Sequence, residues 1–280
     1  MEVDYADTQE IEIRSLQTIQ ELEDVRRLES NIWGEHDSTP THQTVTVVKN
    51  GGIMLGAYFN GKLVGFQYSF PGFKGQSMYL CSHMLGIDKM FRNKGIGEKL
   101  KQAQRREAIK LGYSHITWTY DPLESINAYL NITKLGGTCN TYMENCYGEM
   151  DDLLNNGIPS DRFLVEWPVL QREGKSYQWK ETDMGFVQEK SLIQWEVDEK
   201  GFPIPSFSLP LPEQEHTKAF VAIPKDFKSL KEVNMEAARK WRLVTREIFI
   251  RLMKKGWHMT DFIRNPEGKM PVQFYMFSRK

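Results

Sequence analysis

Two short stretches of this 280-residue chain hold side chains whose types and spacing could do chemistry. The first is Cys81-Ser82-His83-Met84-Leu85-Gly86-Ile87, which reads as a strand. His83 is its one side chain that titrates near neutrality, suited to taking a proton from an ammonium group directly or through water. In β geometry Cys81, His83 and Leu85 face one way and Ser82, Met84 and Gly86 the other. The second stretch, Arg92-Asn93-Lys94-Gly95-Ile96-Gly97, sets two cations and two glycines before a helical segment. A helix start leaves its first N–H groups unpaired and carries the positive end of the macrodipole. Glycine lets the main chain turn tightly and come close to a ligand. Together these features read as a cradle for a phosphate or pyrophosphate.

The flanking elements must hold these stretches in place. From Ile96 the apolar positions Leu100, Ala103 and Leu111 follow helical spacing, and Gly112 stands where a helix end favours a left-handed residue. His115 to Tyr120 reads as a short buried strand, Asp121 to Ser125 as a turn around Pro122, and Asn127 to Gly137 as a second helix with a glycine stop. Upstream, Thr18-x-x-Glu21 is a capping box opening a helix with Leu22, Val25, Leu28 and Ile32 on its apolar face, ending near Gly34. Met54 to Phe59 and Lys62 to Ser69 flank Asn60-Gly61, a strong hairpin signal. The cradle has neither the spacing of a nucleoside-triphosphate loop nor that of a dinucleotide site.

Arg-x-x-Gly-x-Gly after an apolar strand, followed by helix, strand and a helix with Asn-Ala…Lys-Leu-Gly, resembles the acyl-coenzyme A site of the GNAT acyltransferase superfamily. The resemblance covers about residues 10–167. It implies an α+β (mixed α/β) fold with a mostly antiparallel central sheet, a splayed strand pair and flanking helices. It also implies acetyl-CoA or another acyl-CoA as co-substrate, with no metal. The strand Leu85-Gly86-Ile87 would contact the pantetheine arm through its backbone, Arg92, Asn93, Lys94, Gly95, Ile96 and Gly97 would hold the pyrophosphate, and Asn127 would reach the cofactor from the second helix. His83 is then the candidate base for direct attack of an amine on the thioester. Direct transfer needs no nucleophile, so Cys81 reads as a small packed residue. Ser82-His83-Met84, Trp118 to Leu123, Tyr147-Gly148 and Ser160-Asp161-Arg162…Glu166-Trp167 are similar to a bacterial branch of predicted acetyltransferases. Some of its members are linked to N-succinylation of amino acids, which admits succinyl-CoA as a donor.

In one place the sequence departs from the family. Many GNAT enzymes carry a tyrosine four residues before the glycine closing the second cofactor helix, which protonates the departing thiolate; here Ile132 occupies that position. Tyr129, Asn131 and Tyr142 lie nearby without support from spacing. Trp33 and Trp118 read either as acceptor-site walls or as core anchors, the core reading being favoured for Trp118.

Composition bounds the alternatives. Hydrophobic residues make up 40% and charged residues 26%, and no apolar run reaches membrane-spanning length. Three cysteines, Cys81, Cys139 and Cys146, are too few for a disulfide framework or a metal knuckle. With an acidic N-terminus unlike a targeting peptide, the expectation is a cytoplasmic protein. The net charge of −1 hides an asymmetry, since residues 1–167 carry 16 Lys+Arg against 22 Asp+Glu and residues 168–280 carry 20 against 15.

That shift suggests a division into an acyl-CoA-binding domain, 1–167, and a C-terminal α/β unit, 168–280, that is half-GNAT-like and completes the acceptor pocket. In the latter, Phe186-Val187 and Ser191 to Val197 read as strands, and Pro203, Pro205, Pro210 and Pro212 exclude a central strand or helix. Phe220 to Pro224 reads as a strand. Ser229-x-x-Glu232 reads as a second capping box opening one helix from Leu230 through Trp241 to Leu252, stopped by Gly256. His258 to Ile263 and Val272 to Phe277 close the unit around a turn at Asn265 to Gly268. Pro224 to Lys228 stands where a second cradle would be and lacks paired glycines. Arg239, Lys240, Arg242 and Arg246 read as a solvated helix face rather than a nucleic-acid surface, with one arginine open to holding a substrate carboxylate.

The expectation is thus an N-acyltransferase moving an acetyl or succinyl group from acyl-CoA to the amine of a small molecule, with an amino acid the leading acceptor. Neither nucleic acid nor a membrane is expected as a partner, and a homodimer is compatible. The alternative is a catalytically weak acyl-CoA-binding or sensor protein.

Overall fold

The computed structural model describes residues 10–148, 157–170, 179–213, 217–265 and 270–279. Its contacts divide the chain into two units, Met1–Trp118 with Pro168–Gln171, and Thr119–Trp167 with Arg172–Lys280.

The first unit contains β1 (Glu12–Ser15), α1 (Ile19–Trp33), α2 (Thr41–Lys49), β2 (Ile53–Phe59), β3 (Lys62–Lys74), β4 (Ser77–Ile87), α3 (Ile96–Lys110) and β5 (His115–Tyr120) through Trp118. The capping box at Thr18 forms as expected, with Thr18 N–H donating to the Glu21 carboxylate at 3.0 Å and Glu21 N–H to Thr18 Oγ1 at 3.3 Å. Leu22, Val25 and Leu28 of α1 bury against Met54, Tyr58, Phe66 and Tyr68 of the sheet, and full burial of each leucine stabilises by about 1.5–3 kcal/mol. Asn60 and Gly61 both take positive φ, 50° and 73°, the turn that matches strand twist in a two-residue hairpin. Neighbouring strands run β1-β2-β3-β4-β5, antiparallel except for β4 and β5. This parallel pair is registered at Leu80↔Ile116 and Cys81↔Thr117. The sheet is therefore mostly antiparallel with flanking helices and one parallel pair that parts beyond Cys81. Leu111, expected on the apolar face of α3, is 49% exposed because the helix ends at Lys110 and Gly112 (φ 83°) turns the chain away.

The second unit continues with α4 (Ser125–Ala128) and a π-helical stretch, Tyr129–Lys134, before β6 (Thr138–Met143) and its antiparallel partner β7 (Arg162–Pro168). One regular helix was the expectation here. The backbone instead widens, with Leu135 N–H donating to Leu130 O and Gly137 N–H to Asn131 O, as the paired glycines unwind its end. Then follow α5 (Glu181–Glu189), β8 (Ile193–Val197), β9 (Pro203–Ser208), β10 (Lys218–Pro224), α6 (Phe227–Val233), α7 (Met235–Lys254), β11 (His258–Ile263) and β12 (Val272–Ser278). β8 and β9 pair as a two-stranded sheet, so Pro203 and Pro205 sit in an edge strand, where proline is tolerated. A three-stranded sheet runs β10-β12-β11.

Three expectations for this unit are corrected. Phe186-Val187 lies in α5 rather than a strand, since Lys180 N–H donates to the Asp183 carboxylate at 2.9 Å and a two-residue apolar pair specifies no period. The helix expected from Leu230 to Leu252 is two helices. Asp226, not Ser229, caps α6 by accepting from Ser229 N–H at 2.9 Å, and Asn234, extended at φ −148° and ψ 82°, restarts the chain by capping α7. The arginines of α7 are not one solvated face. Arg242 is 1% exposed and donates to Asp121 at 2.5 Å, while Arg246 grips Asp161 through two nitrogens at 2.8 and 2.5 Å. Lys240 does face solvent, beside Glu236. Of the turn expected at Asn265 to Gly268, all but Asn265 lies outside the described residues.

Candidate active site

His83 owes its position to a defect in its strand. β3 and β4 keep register from Gly65↔Ile87 to Tyr68↔Met84 and resume at Ser69↔Ser82, so His83 is the extra residue of a β-bulge. The bulge overturns simple alternation. Cross-strand partners share a face, which puts Met84 with Tyr68 and Ser82 with Ser69, and sets Leu85, the partner of Gln67, on the face opposite Met84. The His83 ring lies 5.4 Å from Phe70 and 6.0 Å from Tyr68, centroid to centroid. Its edge is open to solvent, yet the surrounding apolar rings push its pKa below the ordinary imidazole value by burial. That shift favours the neutral form of the His83 ring.

Tyr68 and Phe70 also form one wall of a cavity of about 390 Å³ whose other walls are Gln43, Thr46, Val47 and Asn50 of the α2 region and Pro71. Beneath this face Glu29 of α1 is wholly buried. Its Oε2 accepts from Thr39 N–H at 2.7 Å, and burial raises its pKa. Burial and the Glu29 charge push the Tyr68 hydroxyl up to about 12. Trp33 stacks edge-on against Phe66 at 5.8 Å and stays 38% exposed.

At the far end of β4, Asp88 caps a short 3₁₀ turn, Lys89–Phe91, and leads into the cradle. Asn93 and Gly95 both adopt left-handed backbone, φ 62° and 76°, and Gly95 opens α3 with no side chain capping the helix. The amides of the first turn of α3 are thus not taken up by a capping side chain. Arg92, Asn93, Lys94 and Gly95 are exposed, Ile96 anchors the helix start in the core at 1% exposure, and Gly97 is half-buried. Arg92 Nε donates to Ile87 O at 3.1 Å, tying loop to strand, and Lys94 lies over the Phe91 ring at 5.1 Å. At Gly86 a Cβ would run into the Phe66 ring, so only glycine lets β4 pass so close to β3's core side. From Ser82 to Ile87 β4 pairs with β3 on one edge, beyond the last register pair with β5.

His83, Leu85, Gly86, Ile87 and the loop Arg92 to Gly97 thus belong to one unit, along one strand and its exit. Asn127 stands exposed on α4 of the other unit. In that unit Ile132 is buried at the position where the family's acid was sought, and Tyr142 is committed elsewhere, donating its hydroxyl to Asp161 at 2.6 Å. Sequence reasoning passed over Tyr68, Phe70, Glu29, Ser82 and Lys101. Glu29 carried a signal, being four residues from Val25 and three from Ile32 on an apolar face.

Residues 17–131 match the family described as the acetyltransferase (GNAT) family. No curated relative matches the chain. Among solved structures the chain is similar to the ribosomal-protein-S18-alanine N-acetyltransferase from Escherichia coli (16% identity, 60% of this chain and 100% of that one, TM-score 0.46). It is also similar to an N-acetyltransferase from Staphylococcus aureus Mu50 (16%, 57% and 99%, TM-score 0.47). A third is Arabidopsis thaliana Naa50 in complex with the bisubstrate analogue CoA-Ac-MVNAL (16%, 56% and 97%, TM-score 0.45).

Proposed function

We propose, from the match of residues 17–131 to the acetyltransferase (GNAT) family, that the chain moves an acetyl group, or a longer acyl group such as succinyl, from CoA to the amine of a small molecule, an amino acid first among them. The observation that carries this reading is the left-handed, uncapped helix start at Gly95 placed at the exit of a strand whose other feature is the bulged His83. The amides at the start of α3, with Arg92 and Lys94, are suited to the pyrophosphate of CoA. The edge of β4 from Ser82 to Ile87 offers main-chain groups to the pantetheine arm and to the thioester carbonyl as charge builds on it.

The cavity beside Tyr68 and Phe70 would seat the acceptor. Its ammonium loses a proton to neutral His83, which passes it to solvent at its exposed edge; the amine attacks the thioester carbon, the C–N bond forms, the second nitrogen proton goes to His83, and the C–S bond breaks to release CoA as the thiolate. A cytoplasmic setting fits this chemistry. Among the described residues no helix is long and apolar enough to cross a membrane.

One observation favours a second reading, an acyl-CoA sensor: Ile132 at the acid position. Thiol release from acetyl-CoA and succinyl-CoA across a panel of amino acids separates the two. Turnover that falls about 100-fold in His83→Ala, with CoA-ester affinity unchanged, supports the enzyme. Tight CoA-ester binding with no turnover on any amine supports the sensor.

A further inference from the structure

On the face of β4 that packs against α3 lies a polar cluster that the proposed reaction leaves unused. Lys101 is 2% exposed. Its Nζ donates to Ser82 Oγ at 2.7 Å and sits 3.5 Å above the Trp118 ring. Gln67 Nε2 donates to Ser69 Oγ at 2.6 Å and to Ser82 Oγ at 3.3 Å, and Gln104 Nε2 donates to Ser69 Oγ at 2.7 Å.

A lysine this deeply buried ordinarily sits beside a carboxylate. Here the surrounding elements supply a different set. β4 brings the Cys81 thiol, the titratable group coupled to Lys101, together with Ser82. β3 brings neutral Gln67 and Ser69, β5 the Trp118 ring, and α3 itself Gln104. The Oε1 atoms of Gln67 and Gln104 accept no hydrogen bond among the described residues, so the cluster is not the closed network that a purely structural polar core would be. Burial pushes the Lys101 amine well below the ordinary lysine value.

Its place in the fold is equally specific. Ser82 follows Cys81 and Trp118 follows Thr117, the last register pair of β4 with β5, so Lys101 sits where the two strands part. The cradle follows the C-terminal end of β4, and Ser82 lies near the middle of the strand. The edge from Ser82 to Ile87 spans roughly 17 Å at about 3.3 Å per residue. A CoA ester anchored at the cradle and lying along that edge carries its thioester toward Ser82.

We propose that Lys101, acting through the Ser82 hydroxyl, protonates the departing CoA thiolate and so fills the role that Ile132 does not. As the C–S bond breaks, sulfur takes the Ser82 hydroxyl proton, Ser82 takes one from the Lys101 ammonium, and Lys101 regains a proton from solvent once CoA leaves. The ammonium's first proton goes to His83, which hands it to solvent at its exposed edge and then takes the second as the C–N bond forms; this happens on the opposite face of the strand, so acid and base do not compete. The inference rests on the acyl-transfer reading.

The test follows the thiolate absorbance of CoA bound to the full-length protein across pH, in wild type, Lys101→Met and Ser82→Ala. The bound thiol should titrate about one pH unit lower in wild type than in Lys101→Met, a tenfold shift in acidity, and Ser82→Ala should resemble Lys101→Met. Both variants should bind CoA about as well as wild type, which a merely structural role for Lys101 would not predict together with a moved thiol. Identical thiol titrations in wild type and Lys101→Met overturn the proposal. Should Lys101→Met fail to fold, the near-isosteric Ser82→Ala decides alone. CoA failing to bind wild type removes the acyl-transfer reading itself, and this inference with it.

Discussion

His83 is placed by a bulge rather than by strand alternation, and that has consequences for its acidity. Set against Phe70 and Tyr68, its ring resists protonation, so the neutral base persists to a pH below the 6.5 of a free imidazole. kcat/KM should therefore rise with pH along an acid limb centred below pH 6.5. A pH–rate profile with its acid limb centred above 6.5 would remove His83 from the role. Replacing Phe70 by serine wets the ring and should move that limb to higher pH. The histidine itself was legible in the sequence, since it is the one near-neutral titrating group on its strand. The face it shares was not, because one extra residue inverts every assignment downstream of it and leaves no compositional trace. Lys101 was equally hidden, although Gly97, Lys101, Gln104 and Ala108 recur at the spacing of one helix face, and three of them are buried.

At the scale of elements, the cradle depends on backbone shape more than on side chains. Gly95 opens α3 at φ 76°, a conformation that costs an L-residue roughly 1–2 kcal/mol. Gly95→Ala should therefore weaken acetyl-CoA binding by up to about tenfold, and Gly95→Val by more, while the melting temperature changes little because the loop is exposed. Calorimetric titration of the two variants checks this, and undiminished affinity in Gly95→Val would show that the loop holds no ligand. The order of elements around the cradle could be read because each boundary has local chemistry, as at the Thr18 box, the Asn60-Gly61 turn and Gly112. Where the sequence reading failed, the decisive residue acted against a locally plausible alternative. Asp226 outcompetes Ser229 as a cap, Asn234 breaks a continuous apolar stripe, and Gly136-Gly137 unwinds a helix into a π-turn.

At the scale of the whole molecule, the second unit is organised by buried charge. Asp121 accepts from Arg242, and Asp161 accepts from Tyr142, Asn145 N–H and Arg246. Arg242→Ala leaves buried Asp121 with only Arg162, 3.8 Å away, as counter-charge and should destabilise by up to about 3–5 kcal/mol, lowering the melting temperature by on the order of 10 °C. Burial alone would raise the Asp121 carboxyl, but Arg242 holds it below the usual value. Its contribution is therefore full above about pH 4, the unfolded value, and is lost as pH falls through the lower folded one. Acid denaturation of wild type below pH 4 that Arg242→Ala does not share in shape would bear this out. Charge changes sign near Trp167, which reports surface composition, whereas the contacts divide the chain at Trp118, and contacts at long sequence separation leave no mark on composition.

The central claim is that an acyl-CoA is held at the exit of β4 and delivered past His83. Calorimetric titration of the full-length chain with acetyl-CoA, succinyl-CoA and ATP, in wild type and in a variant combining Arg92→Ala with Gly95→Val, tests it most directly. Saturable one-to-one binding of a CoA ester but not of ATP is expected, lost in the double variant and kept in His83→Ala. Absence of binding to either ester, or binding that the double variant retains, would contradict it.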